Sequence, residues 1–261
     1  MEFINYSLLE DRKEHLQKAW HSAQPFHYVV FEDFFAPEAA ELILQNYPKT
    51  QEEGWDNTTY INQRNKFSMT KFTNPVIQQA FDEFNSAKLL KIVEYITGIQ
   101  DLVADEKLFG GGLHQSINGA FLDVHVDFNY HPETKYHRRM NILVYMNKDW
   151  KMEYNGYLEL WDMEAKKQLA YVAPNFNRCV IFETNEISFH GHPKPLHTPQ
   201  GVSRKSLAAY YYTKERPNSE IAQDHNTIYV NTEGTTGLVK NLKSGLKAFV
   251  ERVTHTNKDE D

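Results

Sequence analysis

His125-Val-Asp127 places an imidazole and a carboxylate two residues apart at the end of an apolar run. In a strand, side chains two residues apart share a face, so both groups could reach one cation. Alone the pair says little: with 12 histidines in the chain, about half an H-x-D match arises by chance. A third ligand must come from elsewhere. Two imidazoles and a carboxylate on one face of an octahedron leave three positions for small molecules. His190, at the end of Ile-Ser-Phe-His, is the candidate, with His192 on the same strand face as its rival. His197 lies among prolines and reads as a surface residue, while His114, His131 and His137 read as solvated or hydrogen-bonded within the fold.

Arg204 opens the next strand, in Arg-Lys-Ser206-Leu. A guanidinium inside an apolar sheet needs an anionic partner and can grip a carboxylate with two parallel bonds. An exposed salt bridge is the plainer alternative.

These residues need rigid strands to hold them. Short runs of Val, Ile, Leu, Tyr and Phe, broken by Asn, Asp, Gly and Pro, predict strands near 120–126, 139–145, 156–162, 168–172, 178–183, 187–190 and 206–213. The first part of the chain has helical texture. Ser7-Leu-Leu-Glu10 fits a capping box for a helix reaching Trp20, residues 27–31 read as a short strand, and Pro37 opens a second helix. Asn74-Pro75 starts a helical stretch over 76–97, divided near Ser86 and stopped by Gly98.

The architecture expected is α+β: N-terminal helices (1–110) bracing a double-stranded β-helix, a cupin-like jelly roll, over about 111–215. A C-terminal extension (216–261), frayed from Thr254, would complete a single domain of 261 residues.

A net charge of −7 and the lack of any Lys/Arg run argue against a nucleic-acid partner. The single cysteine, Cys179, sits in an apolar run and reads as packing in a reducing interior. No basic leader precedes an apolar stretch, and no apolar run nears the roughly twenty residues a bilayer requires, so a cytoplasmic protein without a membrane partner is expected. Monomer and homodimer remain open.

H-x-D, a distal His and R-x-S on the following strand resemble the 2-oxoglutarate/iron(II) oxygenases, and within them the prolyl 4-hydroxylase-like branch. The similarity runs over about 31–213 and includes Gly110-Gly-Gly-Leu-His114, Asp127-Phe-Asn129, Arg138-Arg-Met-Asn-Ile-Leu-Val-Tyr145, Met146-Asn-Lys-Asp-Trp150 and Leu158-Glu-Leu-Trp-Asp162. The resemblance implies iron(II) on His125, Asp127 and His190, with 2-oxoglutarate and dioxygen as co-substrates and ascorbate as an accessory reductant. It implies further that Arg204, Tyr145 and Ser206 hold the far carboxylate of 2-oxoglutarate and that Leu158 lines its pocket. Asn141 faces the same way as Leu143 and Tyr145 by strand period. Two residues after the distal ligand, where prolyl hydroxylases often carry Val, this chain has His192. Related halogenases replace the carboxylate ligand by a small residue, so the retained Asp127 implies hydroxylation.

The implied activity is hydroxylation of an unactivated C–H bond on a prolyl, other peptidyl or amino-acid side chain, with succinate and carbon dioxide released. A glycan or natural product is the alternative substrate. Trp55, Tyr60, Asn129, His131 and Trp161 are expected around the opening. Two other readings share these residues: a zinc hydrolase or cupin-like isomerase on the same ligands, and a non-catalytic sugar-binding sandwich.

Overall fold

A computed structural model describes residues 1–57, 59–164, 166–230 and 232; the expected fraying from Thr254 lies outside the described residues. Four helices open the chain. Helix α1 (Tyr6–Ser22) is capped by Asn5, whose Oδ1 accepts from the Leu8 amide at 3.3 Å. The cap is therefore not Ser7. The amides of Phe3 and Ile4 donate to the Glu83 carboxylate at 2.7 and 2.9 Å, tethering the preceding segment where Asn5 meets the first turn.

Helix α2 spans Pro37–Gln45. The expected helix over 76–97 is two, α3 (Pro75–Phe84) and α4 (Ala87–Thr97). Ser86 divides them by accepting from the Leu89 amide, and Gly98 ends α4 with a left-handed φ of 76°. Leu9, Trp20, Ile43, Phe81 and Ile92 form one apolar core with Ile142, Val144, Ile181 and Leu207 of the sheet.

The strands are β1 (Tyr28–Phe31), β2 (Asp56–Asn57), β3 (Gln63–Met69), β4 (Val103–Ala104), β5 (Gly112–Val126), β6 (His137–Tyr145), β7 (Leu158–Asp162), β8 (Lys167–Val172), β9 (Arg178–Glu183), β10 (Phe189–His192), β11 (Arg204–Thr213) and β12 (Ile228–Tyr229). They pair antiparallel in the order β1-β9-β6-β11-β5-β10-β7-β8, with β3 and β12 also on β5. Strand β5 turns the corner of this jelly roll. Its first residues, Gly112–Ser116, pair with β11, while Leu122 and His125 pair with β10. A smaller apolar cluster of Phe26, Tyr145, Leu158, Leu160, Val172, Val180 and Phe182 packs inside the roll.

Three expectations shift. Strand β5 begins at Gly112 rather than 120, and the first 110 residues carry four strands as well as helices. Strand β3, Gln-Arg-Asn-Lys-Phe-Ser-Met, has no apolar alternation, and it extends because β5 offers it hydrogen bonds. Strand β10 covers 189–192 rather than 187–190, because Asn185–Ser188 closes a side-chain-bonded turn that leaves Ile187 59% exposed.

Candidate metal and co-substrate site

His125 lies one residue before the end of β5, Asp127 directly follows the strand, and His190 of β10 lies directly opposite His125 in register. One ligand atom from each of the three falls within 4.8 Å of the others, and among the described residues this is the one such group. The carbonyl of Asp123 pairs with Nδ1 of His125 and that of Ser188 with Nδ1 of His190, each at 2.8 Å. A carbonyl only accepts, so each Nδ1 bears the proton and each Nε2 presents a lone pair. Those Nε2 atoms lie 3.6 Å and 3.5 Å from the Asp127 oxygens.

The electrostatics suit a divalent cation. Burial, with His125 alongside, pushes the His190 imidazole down to about 4, so it is neutral near pH 7. Burial alone would raise the Asp127 carboxyl, but Arg138, His190 and His125 outweigh it and hold the group well below the usual range. A neutral imidazole at His190 and an ionised carboxylate at Asp127 are protonation states that suit a metal. His192 lines the same pocket but is not one of the three convergent ligands.

Behind the triad lies a small cavity of about 90 Å³. Arg204, on β11, donates through Nε to the Gly156 carbonyl at 2.7 Å and through Nη2 to the Tyr145 hydroxyl at 3.1 Å. Burial raises the Tyr145 phenol even against the Arg204 charge, so it stays protonated. Ser206 pairs in register with Tyr145 of β6 and His114 of β5, and Leu158 and Ser206 both line the cavity. Gly156 has a φ of +73°, and a Cβ there would lie 2.5 Å from Leu196 Cδ2 and 3.1 Å from Arg204 Cδ. The arginine thus needs this glycine beside it.

Asn141 faces the cavity, but its polar atoms are engaged by protein. Its Nδ2 donates to Asp127 Oδ2 at 2.7 Å, and its Oδ1 accepts from Arg138 Nε at 3.0 Å and Nη2 at 2.6 Å. Sequence reasoning gave Arg138 no role. Its Nη2 lies 3.0 Å from Asp127 Oδ2, and its guanidinium stacks 3.6 Å from the Tyr210 ring centroid. Strict alternation would put residues 138 and 141 on opposite faces, but a register shift between Tyr211 and Tyr212 of the partner strand re-aims Arg138.

Of the residues expected around the opening, Tyr60 is linked to the triad through Tyr229. The Tyr229 ring lies 6.4 Å from that of Tyr60 and 5.3 Å from that of His125. The other four make contacts outside the triad. Trp55 packs against Tyr47 and Phe67, Trp161 donates to Glu159, Asn129 bonds Gln223 and His225, and His131 faces Asp105 and Tyr212. Strand β12 runs back along β5, with Tyr229 opposite His125. His114 is buried against the cavity and hydrogen-bonded to the backbone of Gly110 and Gly111, the second of the two states expected for it.

Residues 111–212 match the model of the 2OG-Fe(II) oxygenase superfamily. A curated relative, prolyl 3-hydroxylase OGFOD1 of Mus musculus, is 28% identical over 35% of this chain; the matched part is 19% of that protein's length. Among solved structures, a Trichoplax adhaerens prolyl hydroxylase in complex with a hypoxia inducible factor peptide fragment superposes with a TM-score of 0.58. It is 15% identical, over 80% of this chain and 93% of that one. A Pseudomonas putida prolyl-4-hydroxylase superposes with a TM-score of 0.54 at 17% identity, over 76% of this chain and 98% of that one. At these identities the superpositions speak for the fold.

Over residues 111–212 the sequence resembles the 2OG-Fe(II) oxygenase superfamily, and the jelly roll and the His-Asp-His triad fit that resemblance.

Proposed function

We propose that the chain is a hydroxylase of prolyl or other peptidyl side chains, using iron(II), 2-oxoglutarate and dioxygen. The observation carrying this reading is the meeting of two elements in one cavity: three ligand atoms with both imidazole tautomers set, and an arginine–tyrosine pair behind them. His125, Asp127 and His190 would hold the metal. Bound iron supplies the redox chemistry, coupling oxidative decarboxylation of 2-oxoglutarate to succinate and carbon dioxide with insertion of oxygen into a C–H bond.

The protein's part is placement. Arg204 and the Tyr145 hydroxyl would grip the far carboxylate, with Ser206 beside them, while Leu158 and Phe182 keep the cavity wall apolar and limit water. Asn141 and Arg138 hold Asp127 in orientation. The peptidyl substrate rests on similarity to prolyl hydroxylases. Fold alone does not choose a substrate.

Anaerobic titration of the metal-free chain with iron(II) and 2-oxoglutarate should produce the weak visible charge-transfer band of a chelated keto acid. A proline-containing peptide incubated aerobically should gain the mass of one oxygen atom. A folded chain that shows neither would send the reading to a zinc or sugar-binding protein.

A further inference from the structure

Lys66 and His192 both line the cavity and have no role in the scheme above. Lys66 comes from β3, where Asn65 adopts a left-handed φ of 51° and the register on β5 jumps from Phe121, opposite Arg64, to Ser116, opposite Lys66. Such an irregularity re-aims a side chain. Arg64 is exposed, whereas Lys66 is half-buried and reaches the cavity lined also by His114, His192 and Arg204.

No carboxylate among the described residues forms an ion pair with Lys66. Asp127, the one carboxylate lining the cavity among the described residues, is engaged by Arg138 and Asn141. Burial pulls the lysine down to about 8, although Asp127 opposes the shift. It is still mainly cationic at neutral pH, without a matching anion.

His192 is the second observation, and it is independent. It is 4% exposed, and its Nδ1 has no hydrogen-bond partner. A buried polar atom without a partner is costly, and such an atom calls for a group supplied from outside. A lysine brought in by a bulge and a buried histidine with an unpartnered Nδ1 thus line the same small cavity.

We propose that Lys66 and His192 form a second carboxylate-binding point in this cavity, separate from Arg204. The carboxylate belongs either to the keto-acid end of 2-oxoglutarate or to the substrate. An ammonium and an imidazole N–H would give it two donors, one of them charged. This rests on the cavity being the 2-oxoglutarate pocket.

The test uses full-length chain loaded with manganese(II), and calorimetric titration of three probes: 2-oxoglutarate, 2-oxopentanoate, which lacks the far carboxylate, and acetate added to the 2-oxoglutarate complex. If the keto-acid end is the partner, Lys66→Met and His192→Val weaken both oxo acids about ten- to hundredfold, while Arg204→Ala weakens only 2-oxoglutarate. If the substrate supplies the carboxylate, oxo-acid binding is unchanged, and acetate binds the wild type but not the two variants. Lys66→Arg should restore most of the binding in either case. The proposal is overturned if folded Lys66→Met and His192→Val bind all three probes as the wild type does. Wild-type protein that binds no 2-oxoglutarate would refute the functional reading itself, a separate outcome.

Discussion

Arg138 and Asp127 form an ion pair at 3.0 Å in which the arginine side chain is 1% and the aspartate 12% exposed. The same aspartate oxygen accepts from Asn141. One oxygen is thereby held from two sides, and the other is left nearer His125.

Arg138→Gln should therefore lower metal affinity by about 10- to 100-fold, the usual consequence of removing a partner that orients a ligand. It should also destabilise the metal-free protein by about 3 kcal/mol, the low end for breaking a buried pair, since Asp127 keeps some contact with water. Manganese titration and urea unfolding measure the two effects. Unchanged metal affinity would mean that Asn141 orients Asp127 alone.

His190→Ala should abolish metal binding, whereas His192→Ala should retain it, because only His190 shares the convergent geometry with His125 and Asp127. Metal content after dialysis separates the variants. Equal loss in both would make His192 a ligand.

Arg204→Ala should weaken 2-oxoglutarate binding by tens- to thousandsfold, corresponding to about 2–5 kcal/mol for a buried charged contact. Gly156→Ala should lower the same affinity without touching the ligand, because the new methyl group displaces Leu196 or Arg204. A Gly156→Ala protein with wild-type affinity would show that the loop yields instead.

Metal-free protein should lose stability as pH falls from about 6.5 towards 4. His190 has its folded value lowered to about 4, and burial lowers His114 and His192 as well. In that window the unfolded chain takes up protons that the folded one refuses, so stability is full above the window and declines within it. Asp127 has the depressed value of a paired carboxylate and adds its own loss below its ordinary value of 3.8. Urea midpoints measured across pH read this directly, and a flat profile between pH 7 and 5 would contradict it.

Local chemistry made much of this protein legible. The apolar runs that became β6, β9 and β11, the Asn74-Pro75 start, the Ser86 break and the Gly98 stop express short-range preferences of backbone and side chain, which need no distant partner. The spacing of His125 and Asp127 also follows from strand period alone.

Tertiary structure decided what depends on pairing and register. Strand β3 has no apolar pattern of its own and exists because β5 accepts it, so Lys66 could not be placed in the cavity from its neighbours in sequence. Arg138 reaches Asp127 through a register shift that breaks the alternation rule, and Asn141 turned out to hold that aspartate. The order of His190 and His192 rested on which imidazole lies opposite His125 across the β5–β10 ladder. A slip of two residues would bring His192 there instead, and long-range hydrogen bonding sets the register.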